Sequence, residues 1–273
     1  MSEPLVWYVS YGSNMNAARF GCYLAGGTPI GARRSFPGCR DTRPPLATRG
    51  YELRGGIYFA TRSPVWGGGR AFYDPALPGT APARAYLITA SQFADVAAQE
   101  MYRAPGADLD LREAIAAGRA ELGPGRYETL LCVGHLDDHP VLTFTAPWAA
   151  HDVEPEAPSA GYLRMLATGL CDAHGWEMPR AAGYLARLRG AAGAWSVERG
   201  DDRRGVRLKA APGLYAAGCS SIASRTAGTR CSRRTHASPD DPLTPVPERP
   251  RSRRSLPEIP DDPDDDPREY GRR

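Results

Sequence analysis

The arrangement of short strand-like segments is the feature that most constrains how this chain can fold. In these segments apolar or β-branched residues alternate with small or polar ones, which predicts pleated strands with a buried face. They span residues 5–11, 56–61, 71–73, 84–88, 127–133 and 141–145. Because the chain lacks a regular strand–helix–strand alternation, the sequence favours an α+β fold with short strands in hairpins over a doubly wound parallel sheet.

Helices are predicted beside these strands. One should span residues 15–24, with Ser13 or Asn14 as its N-cap and a glycine pair at its end. The next begins at Thr89, whose hydroxyl and the side chain of Gln92 can form the two halves of a capping box. Two more are predicted at residues 159–172 and 180–189 from their apolar periodicity.

The composition of the chain changes after about Lys209. From Ser224 onward the sequence consists mainly of Pro, Ser, Thr, Arg and Asp. Such a stretch buries too little apolar surface to offset the entropy that ordering costs. We therefore predict one domain over residues 1–209, followed by a Pro/Arg/Asp-rich disordered tail over residues 210–273.

Charge and cysteine content disfavour several classes of protein. The 34 Lys and Arg residues nearly balance the 31 Asp and Glu residues, which disfavours a dedicated nucleic-acid binder. The six cysteines include no C-x-x-C pair, so free thiols are expected and no metal site is predicted. No apolar run reaches the roughly 18 residues of a membrane span. With no secretory signal pattern at the start, we expect a cytoplasmic protein with no membrane partner.

Glu100 is the candidate catalytic residue. Together with Phe93, Val96 and Ala97 it follows the i, i+3, i+4, i+7 spacing of one helical face. A carboxylate on the same face as core residues is partly desolvated, which suits a general base. From spacing alone a structural role is an equal alternative, in which Glu100 pairs with an arginine such as Arg103 or lies at the helix end where burial fades.

The segment Tyr11-Gly12-Ser13-Asn14 is the candidate binding loop. Here a strand ends, Gly12 permits tight or left-handed backbone, and a helix begins, so successive N–H groups can converge on an anion or a developing oxyanion. An ordinary capped helix start has the same pattern. Ser13 is not expected to be an elbow-type nucleophile, because Tyr11 and Met15 occupy the positions where G-x-S-x-G requires glycine.

Two further motifs predict no site. His135 and His139 have a spacing that can hold a metal on a helix, but the residues at 136–140 predict a hairpin turn instead. The glycine run at residues 67–69 lacks the lysine of a phosphate-binding loop, so it is interpreted as a flexible loop tip.

Three segments together resemble the γ-glutamylcyclotransferase family. They are V-W-Y-V-S-Y-G-S-N-M at residues 6–15, G-G-I-Y-F-A at 55–60 and A-Q-E at 98–100, and the resemblance covers roughly residues 5–190. It implies a small mixed or antiparallel β-barrel flanked by helices, with Glu100 as the general acid/base. It also implies a set of substrate-binding residues: Tyr11, Gly12, Ser13, Asn14, Tyr127 and Tyr162.

The implied reaction is an acyl transfer that cyclises a γ-glutamyl compound to 5-oxoproline and releases an amine. The implied partner is a small-molecule γ-glutamyl or amino-acid-like substrate, with no metal or organic cofactor. Two alternatives stay open: a non-catalytic small-molecule-binding module of the same fold, and a γ-glutamyl acyltransferase that uses an external amine. The stretch 103–126 and the loop 66–70 depart from the family beside the expected pocket, so the leaving amine is not predicted.

Overall fold

A six-stranded mixed sheet forms the centre of the fold. The computed structural model describes residues 3–29, 35–199 and 206–211, which belong to one compact unit. The strands are β1 Leu5–Ser10, β2 Ala47–Arg54, β3 Gly56–Ser63, β4 Gly68–Asp74, β5 Thr80–Thr89, β6 Arg119–Glu121, β7 Thr129–Leu136, β8 His139–Thr145, β9 Trp195–Arg199 and β10 Val206–Ala210. A 3-10 turn spans Ser13–Met15, and the helices are α1 Ala17–Ala25, α2 Ala90–Glu100, α3 Arg112–Ala117, α4 Ala160–His174 and α5 Met178–Leu185.

Strand pairing makes the sheet mixed. Its order is β2-β5-β1-β8-β7-β6, in which β1 runs antiparallel to β5 and parallel to β8. The pairs β3–β4 and β9–β10 form two smaller sheets. The α+β class is therefore confirmed. Among the described residues no pairing joins the edge strands β2 and β6, so the sheet is not closed into a barrel.

Several predicted boundaries follow from local capping. The Thr89 hydroxyl accepts from the Gln92 N–H and the Gln92 side chain accepts from the Thr89 N–H, so the predicted capping box at α2 is confirmed. Ser159 caps α4, which ends at the left-handed Gly175. The N-cap predicted for α1 was wrong: it is Asn16, because the 3-10 turn first carries the chain away from β1. The predicted glycine end is confirmed, since Gly26 is the C-cap and has a positive φ angle.

Strand β1 is buried on both faces, which explains its apolar sequence. Trp7 and Val9 pack with side chains of α4 and α5, whereas Val6 and Tyr8 pack with side chains of α1 and α2. The carboxyl end of β1, where the Y-G-S-N loop begins, therefore lies between α4 and α5 on one side and α1 and α2 on the other.

The glycine run at residues 67–69 was predicted as a flexible loop tip, which is wrong for Gly68 and Gly69. Gly68 and Gly69 are buried residues that begin β4. A Cβ atom on Gly69 would lie 2.1 Å from the carbonyl oxygen of Glu156, so this strand requires glycine for its close approach to the segment beside it.

The described residues include no helix with the length and apolar character needed to cross a membrane. The predicted domain boundary at residue 209 falls at the edge of the description, and the predicted tail, apart from residues 210 and 211, lies outside the described residues. The boundary, the tail and the cytoplasmic location therefore stay predictions.

Candidate active site

The loop after β1 and the last residue of α2 are in direct contact. The Asn14 Nδ2 atom donates a hydrogen bond to Glu100 Oε1 at 2.9 Å and lies 3.4 Å from the Tyr8 hydroxyl oxygen. Because an ionised carboxylate only accepts hydrogen bonds, the amide nitrogen of Asn14 must face Glu100. The contact joins residues 86 positions apart and brings the two sequence-predicted parts of the site together.

Glu100 lies where the burial of α2 fades. Phe93, Val96 and Ala97 are fully buried, as their shared helical face predicts, but Glu100 is half-buried. The alternative pairing with Arg103 is not found, since Arg103 forms an ion pair with Glu128 instead. Within the part of the chain that the structure describes, no basic side chain forms an ion pair with Glu100.

A second carboxylate on α2, Asp95, is more deeply buried but serves the fold. It accepts hydrogen bonds from the Arg40 N–H at 2.8 Å and from the Gly106 N–H at 2.9 Å, and its Oδ2 atom lies 3.1 Å from Arg40 Nε. These bonds fasten two loops to α2 and occupy the carboxylate oxygens. Glu100 is therefore the carboxylate on this helix with a side open to a cavity.

The negative charge of Glu100 raises the pKa of four tyrosine side chains: Tyr8, Tyr23, Tyr127 and Tyr162. Burial is the largest cause of a raised pKa for each phenol, and the Glu100 charge raises it further. The pKa of Tyr162 rises to about 12. All four phenols consequently stay neutral around pH 7 and keep their protons for hydrogen bonding.

The backbone of Ala71 sets opposite hydrogen-bonding roles for two of these phenols. The Tyr127 hydroxyl donates to the Ala71 carbonyl oxygen at 3.1 Å, so its lone pairs remain as acceptors. The Tyr162 hydroxyl accepts from the Ala71 N–H at 3.3 Å, so its proton remains as a donor. Tyr127 lies in the turn before β7 rather than in the predicted strand.

The remaining residues of the Y-G-S-N loop have different surroundings. The Tyr11 hydroxyl donates to the Phe144 carbonyl oxygen at 2.8 Å, so Tyr11 forms a wall of the site. Of the tight or left-handed backbone that glycine permits, the left-handed form is not found at Gly12, whose backbone is extended with φ −104°. A Cβ atom there would lie 3.7 Å from the Tyr162 hydroxyl. The Ser13 hydroxyl accepts from Arg19 Nε at 3.0 Å.

Three adjoining cavities share Glu100 and Tyr127. The smallest, about 30 Å³, lies against the Y-G-S-N loop. A second, about 60 Å³, extends past Arg19 and Trp66. The third, about 550 Å³, extends over residues 124–128 and reaches Trp148. Part of the stretch 103–126 therefore lines the largest space beside Glu100.

Sequence reasoning missed several residues of this site. Tyr8 alternates with Ser10 along β1, and Arg19 and Tyr23 are four apart on α1, so strand and helix periodicity offered a signal for these residues. The Arg19 guanidinium carbon lies 5.2 Å from the ring centroid of Trp66, a cation–π arrangement that no spacing reveals. Arg70 lines two of the cavities without any sequence signal.

The two histidines considered as metal ligands lie on the β7–β8 hairpin. His139 pairs with Leu136 across a two-residue turn, and both residues of that turn, Asp137 and Asp138, have positive φ angles. The predicted hairpin is confirmed. In the described ranges, no group of three or more His, Cys, Asp or Glu side chains is placed to hold a metal ion.

The buried tyrosines predict a steep loss of stability in alkali. Unfolded tyrosine ionises at about pH 10, whereas the pKa of Tyr162 in the fold is about 12. The folded state thus holds the proton more tightly, and the free energy of unfolding should be level below about pH 10 and fall above it. Tyrosinate absorbance and circular dichroism should change together during a pH titration. Ionisation of most tyrosines in a protein that remains folded would contradict this prediction.

Comparisons with known proteins give limited matches. No family model matches the chain. Histone deacetylase 5 of Arabidopsis thaliana is 30% identical over 199 residues, a match that covers 66% of this chain but 30% of that protein. The chain thus spans less than a third of the length of this curated relative.

Two solved structures are similar to the chain. The uncharacterized protein loc79017 from Homo sapiens has a TM-score of 0.39 at 13% identity, with 68% of this chain and 89% of that one covered. A structure titled gamma-glutamyl cyclotransferase has a TM-score of 0.36 at 14% identity, with 74% of this chain and 94% of that one covered. Similarity at this level does not assign an activity.

Proposed function

We propose that this chain is a γ-glutamylcyclotransferase-type enzyme, which cyclises a γ-glutamyl compound to 5-oxoproline and releases an amine. The observation that carries the proposal is the 2.9 Å hydrogen bond between Asn14 and Glu100. It joins the loop and the carboxylate that the family resemblance names, at a point where three cavities meet. A carboxylate that can act as a base, polar donors and space for a substrate thus adjoin one another.

Glu100 acts first as a base in this mechanism. It takes a proton from the α-ammonium group of the substrate, and the freed amine attacks the γ-carbonyl carbon of the same molecule. Because nucleophile and electrophile belong to one molecule held in a bent conformation, the effective concentration is high. The tetrahedral intermediate then collapses, the bond to the leaving nitrogen breaks, and protonated Glu100 returns its proton to that nitrogen. The second ammonium proton also passes to the leaving amine, which departs as an ammonium ion.

The smallest cavity is assigned to the reacting head group. The Tyr162 hydroxyl, whose proton is not used by Ala71, donates to the oxyanion that develops on the γ-carbonyl. The N–H groups of Gly12 and Ser13 lie at the start of the 3-10 turn, where the turn itself offers no partner, and assist as donors. The Tyr127 hydroxyl accepts from the α-ammonium group.

Replacement of Asn14 by Ala tests the positioning of Glu100. A hydrogen bond to a charged group contributes about 1.5–3 kcal/mol, so kcat should fall by roughly 10- to 100-fold while KM changes less. Asn16→Ala is the matched control, because Asn16 caps α1 and does not contact Glu100. That variant should lose about 1 kcal/mol of stability and keep its kcat. Equal kcat values for the two variants would exclude the positioning role of Asn14.

The direct test is incubation of the purified full chain with a panel of γ-glutamyl amines and γ-glutamyl dipeptides. The amount of 5-oxoproline and of free amine released is then measured by mass spectrometry. Both products should appear in equal amounts, since each bond cleavage closes one ring. If no member of the panel yields 5-oxoproline, the chain is not a cyclotransferase for this substrate class.

One observation favours a second candidate, a non-catalytic binding module. The match to part of a longer protein is typical of a unit that is attached to other domains. In that case γ-glutamyl compounds raise the melting temperature but yield no 5-oxoproline. A γ-glutamyl acyltransferase would instead give a product whose mass includes both the glutamyl group and an added amine.

A further inference from the structure

Tyr86 is a buried residue of β5 whose hydroxyl reaches the Y-G-S-N loop. Only 1% of its surface is exposed, and its ring stacks on Phe20 of α1 with 4.1 Å between the ring centroids. The hydroxyl donates a hydrogen bond to the Asn14 carbonyl oxygen at 2.7 Å. One side chain therefore joins the central sheet, the helix α1 and the loop.

The Asn14 carbonyl depends on this donor. In the 3-10 turn, the Gly12 carbonyl accepts from the Met15 N–H at 3.0 Å. The Ser13 carbonyl accepts from the Asn16 N–H at 3.2 Å. The series stops there, since across the described residues no backbone N–H group donates to the Asn14 carbonyl. Asn14 is buried, and a buried carbonyl without a donor is costly, so the phenol satisfies a group that the turn leaves unpaired.

Asn14 is also the residue that holds Glu100. Its side-chain nitrogen donates to Glu100 Oε1 at 2.9 Å, while its main-chain carbonyl accepts from Tyr86. Burial raises the pKa of Tyr86 to about 12, so the phenol keeps its proton and remains a donor around pH 7. Tyr86 does not line any of the three cavities beside Glu100, so an effect on the reaction must pass through Asn14.

We propose that Tyr86 is a positioning residue, which fixes the main chain of Asn14 so that the Asn14 side chain holds Glu100 in the orientation that proton transfer requires. This inference rests on the proposed cyclotransferase reaction and adds to it a residue outside the cavities. A displacement of about 1 Å at a reacting group can cost on the order of 100-fold in rate, so the anchoring of the loop affects turnover.

Tyr86→Phe is the test, because it removes the hydroxyl and keeps the ring that packs on Phe20. We expect kcat for 5-oxoproline release to fall by about 3- to 10-fold while KM stays within about twofold, since no group that lines the cavities is lost. The melting temperature should fall by roughly 2–8 °C, because a buried carbonyl loses its donor. An unchanged kcat would overturn the inference.

Tyr73→Phe is the matched control. The Tyr73 hydroxyl, on β4, also donates to a main-chain carbonyl, that of Arg54, and Tyr73 does not line the three cavities. This variant should lose a comparable amount of stability and keep its kcat. If kcat falls equally in Tyr73→Phe and Tyr86→Phe, the loss of turnover follows stability in general, and the inference fails.

Combination with Asn14→Ala distinguishes positioning from a merely structural role of Tyr86. Asn14→Ala keeps the main-chain carbonyl but has no side chain that can hold Glu100. In that background, Tyr86→Phe should still lower the melting temperature but should change kcat by less than about twofold, because the connection to Glu100 is already lost. A fall in kcat by the same factor in both backgrounds contradicts the proposed route.

The distance between Asn14 and Glu100 separates this inference from the proposed reaction. Crystal structures of the two phenylalanine variants give that distance without any turnover. In Tyr86→Phe the distance from Asn14 Nδ2 to Glu100 Oε1 should lengthen beyond about 3.2 Å, the upper end of ordinary N–H···O bonds, whereas Tyr73→Phe should keep it near 2.9 Å. That pair of results supports the role of Tyr86 even if the chain releases no 5-oxoproline. An unchanged distance in Tyr86→Phe overturns it, whatever the activity.

Discussion

Glu100→Gln is expected to lower kcat/KM for 5-oxoproline release by at least about 100-fold, the usual contribution of a general base. Glutamine has nearly the same shape but cannot take a proton from the substrate. Its amide oxygen can still accept from the Asn14 side chain, which donates to Glu100 Oε1 at 2.9 Å in the unaltered protein. The hydrogen bond between the loop and α2 therefore persists, and the substitution slows the chemical step itself.

The design of this experiment separates chemistry from folding. The melting temperature should stay close to that of the unaltered protein, because Glu100 forms no ion pair among the described residues. Glu113→Gln is the control: Glu113 is exposed on α3 and outside the three cavities. Its turnover should be unchanged. Turnover by Glu100→Gln within about threefold of the unaltered protein would remove Glu100 from the proposed mechanism.

Gly169→Ala is expected to lower the free energy of unfolding by about 1–3 kcal/mol, the usual cost of overpacking a filled interior. Gly169 lies on the buried face of α4 where this helix packs on the 3-10 turn. A Cβ atom there would lie 2.7 Å from the Met15 Cβ atom and 3.0 Å from the Asn16 backbone nitrogen. Neither neighbour is the end of a flexible side chain, so the backbone of the turn must shift.

That shift should also reach the candidate active site. The turn carries Asn14, so a displacement of its backbone disturbs the hydrogen bond to Glu100. Turnover should therefore fall together with stability. Gly161→Ala on the same helix is the control, because Gly161 is exposed and a Cβ atom there meets nothing within 4 Å. It should be neutral or slightly stabilising, since alanine favours helix.

Urea denaturation of the two glycine variants measures both effects. A loss of stability confined to Gly169→Ala supports tight packing of α4 on the turn. Equal stability of the two variants would show that the turn accommodates a methyl group at Gly169 without cost. In that case its backbone is not held by α4.

Much of the secondary structure could be predicted because its signals are local. Thr89 and Gln92 form the capping box of α2, and the Ser159 hydroxyl caps α4 by accepting from the Tyr162 N–H three residues on. The hairpin at residues 136–140 follows from turn chemistry alone. Such interactions are complete within a few residues, so they can be read without knowledge of the fold.

Elements without a local pattern were not predicted. Strand β2 is mostly exposed and lies at the edge of the sheet, so it shows little apolar alternation, and its pairing with β5 defines it instead. The helix predicted at residues 180–189 is found, but its bounds were wrong: α5 spans Met178–Leu185, and a proline in its first turn marks the start.

The features of the candidate site are likewise of two kinds, those set by local sequence and those set by tertiary contacts. The sequence by itself determined that Glu100 ends a mostly buried helical face and that a loop of special composition follows the first strand, since periodicity and composition are local properties. Tertiary structure alone decided that Asn14 holds Glu100, that Ala71 fixes the opposite roles of two phenols, and that Arg70 is buried without a carboxylate partner among the described residues. The physical reason is that hydrogen bonding and desolvation depend on which distant segments meet in space, and sheet pairing and helix packing set those meetings.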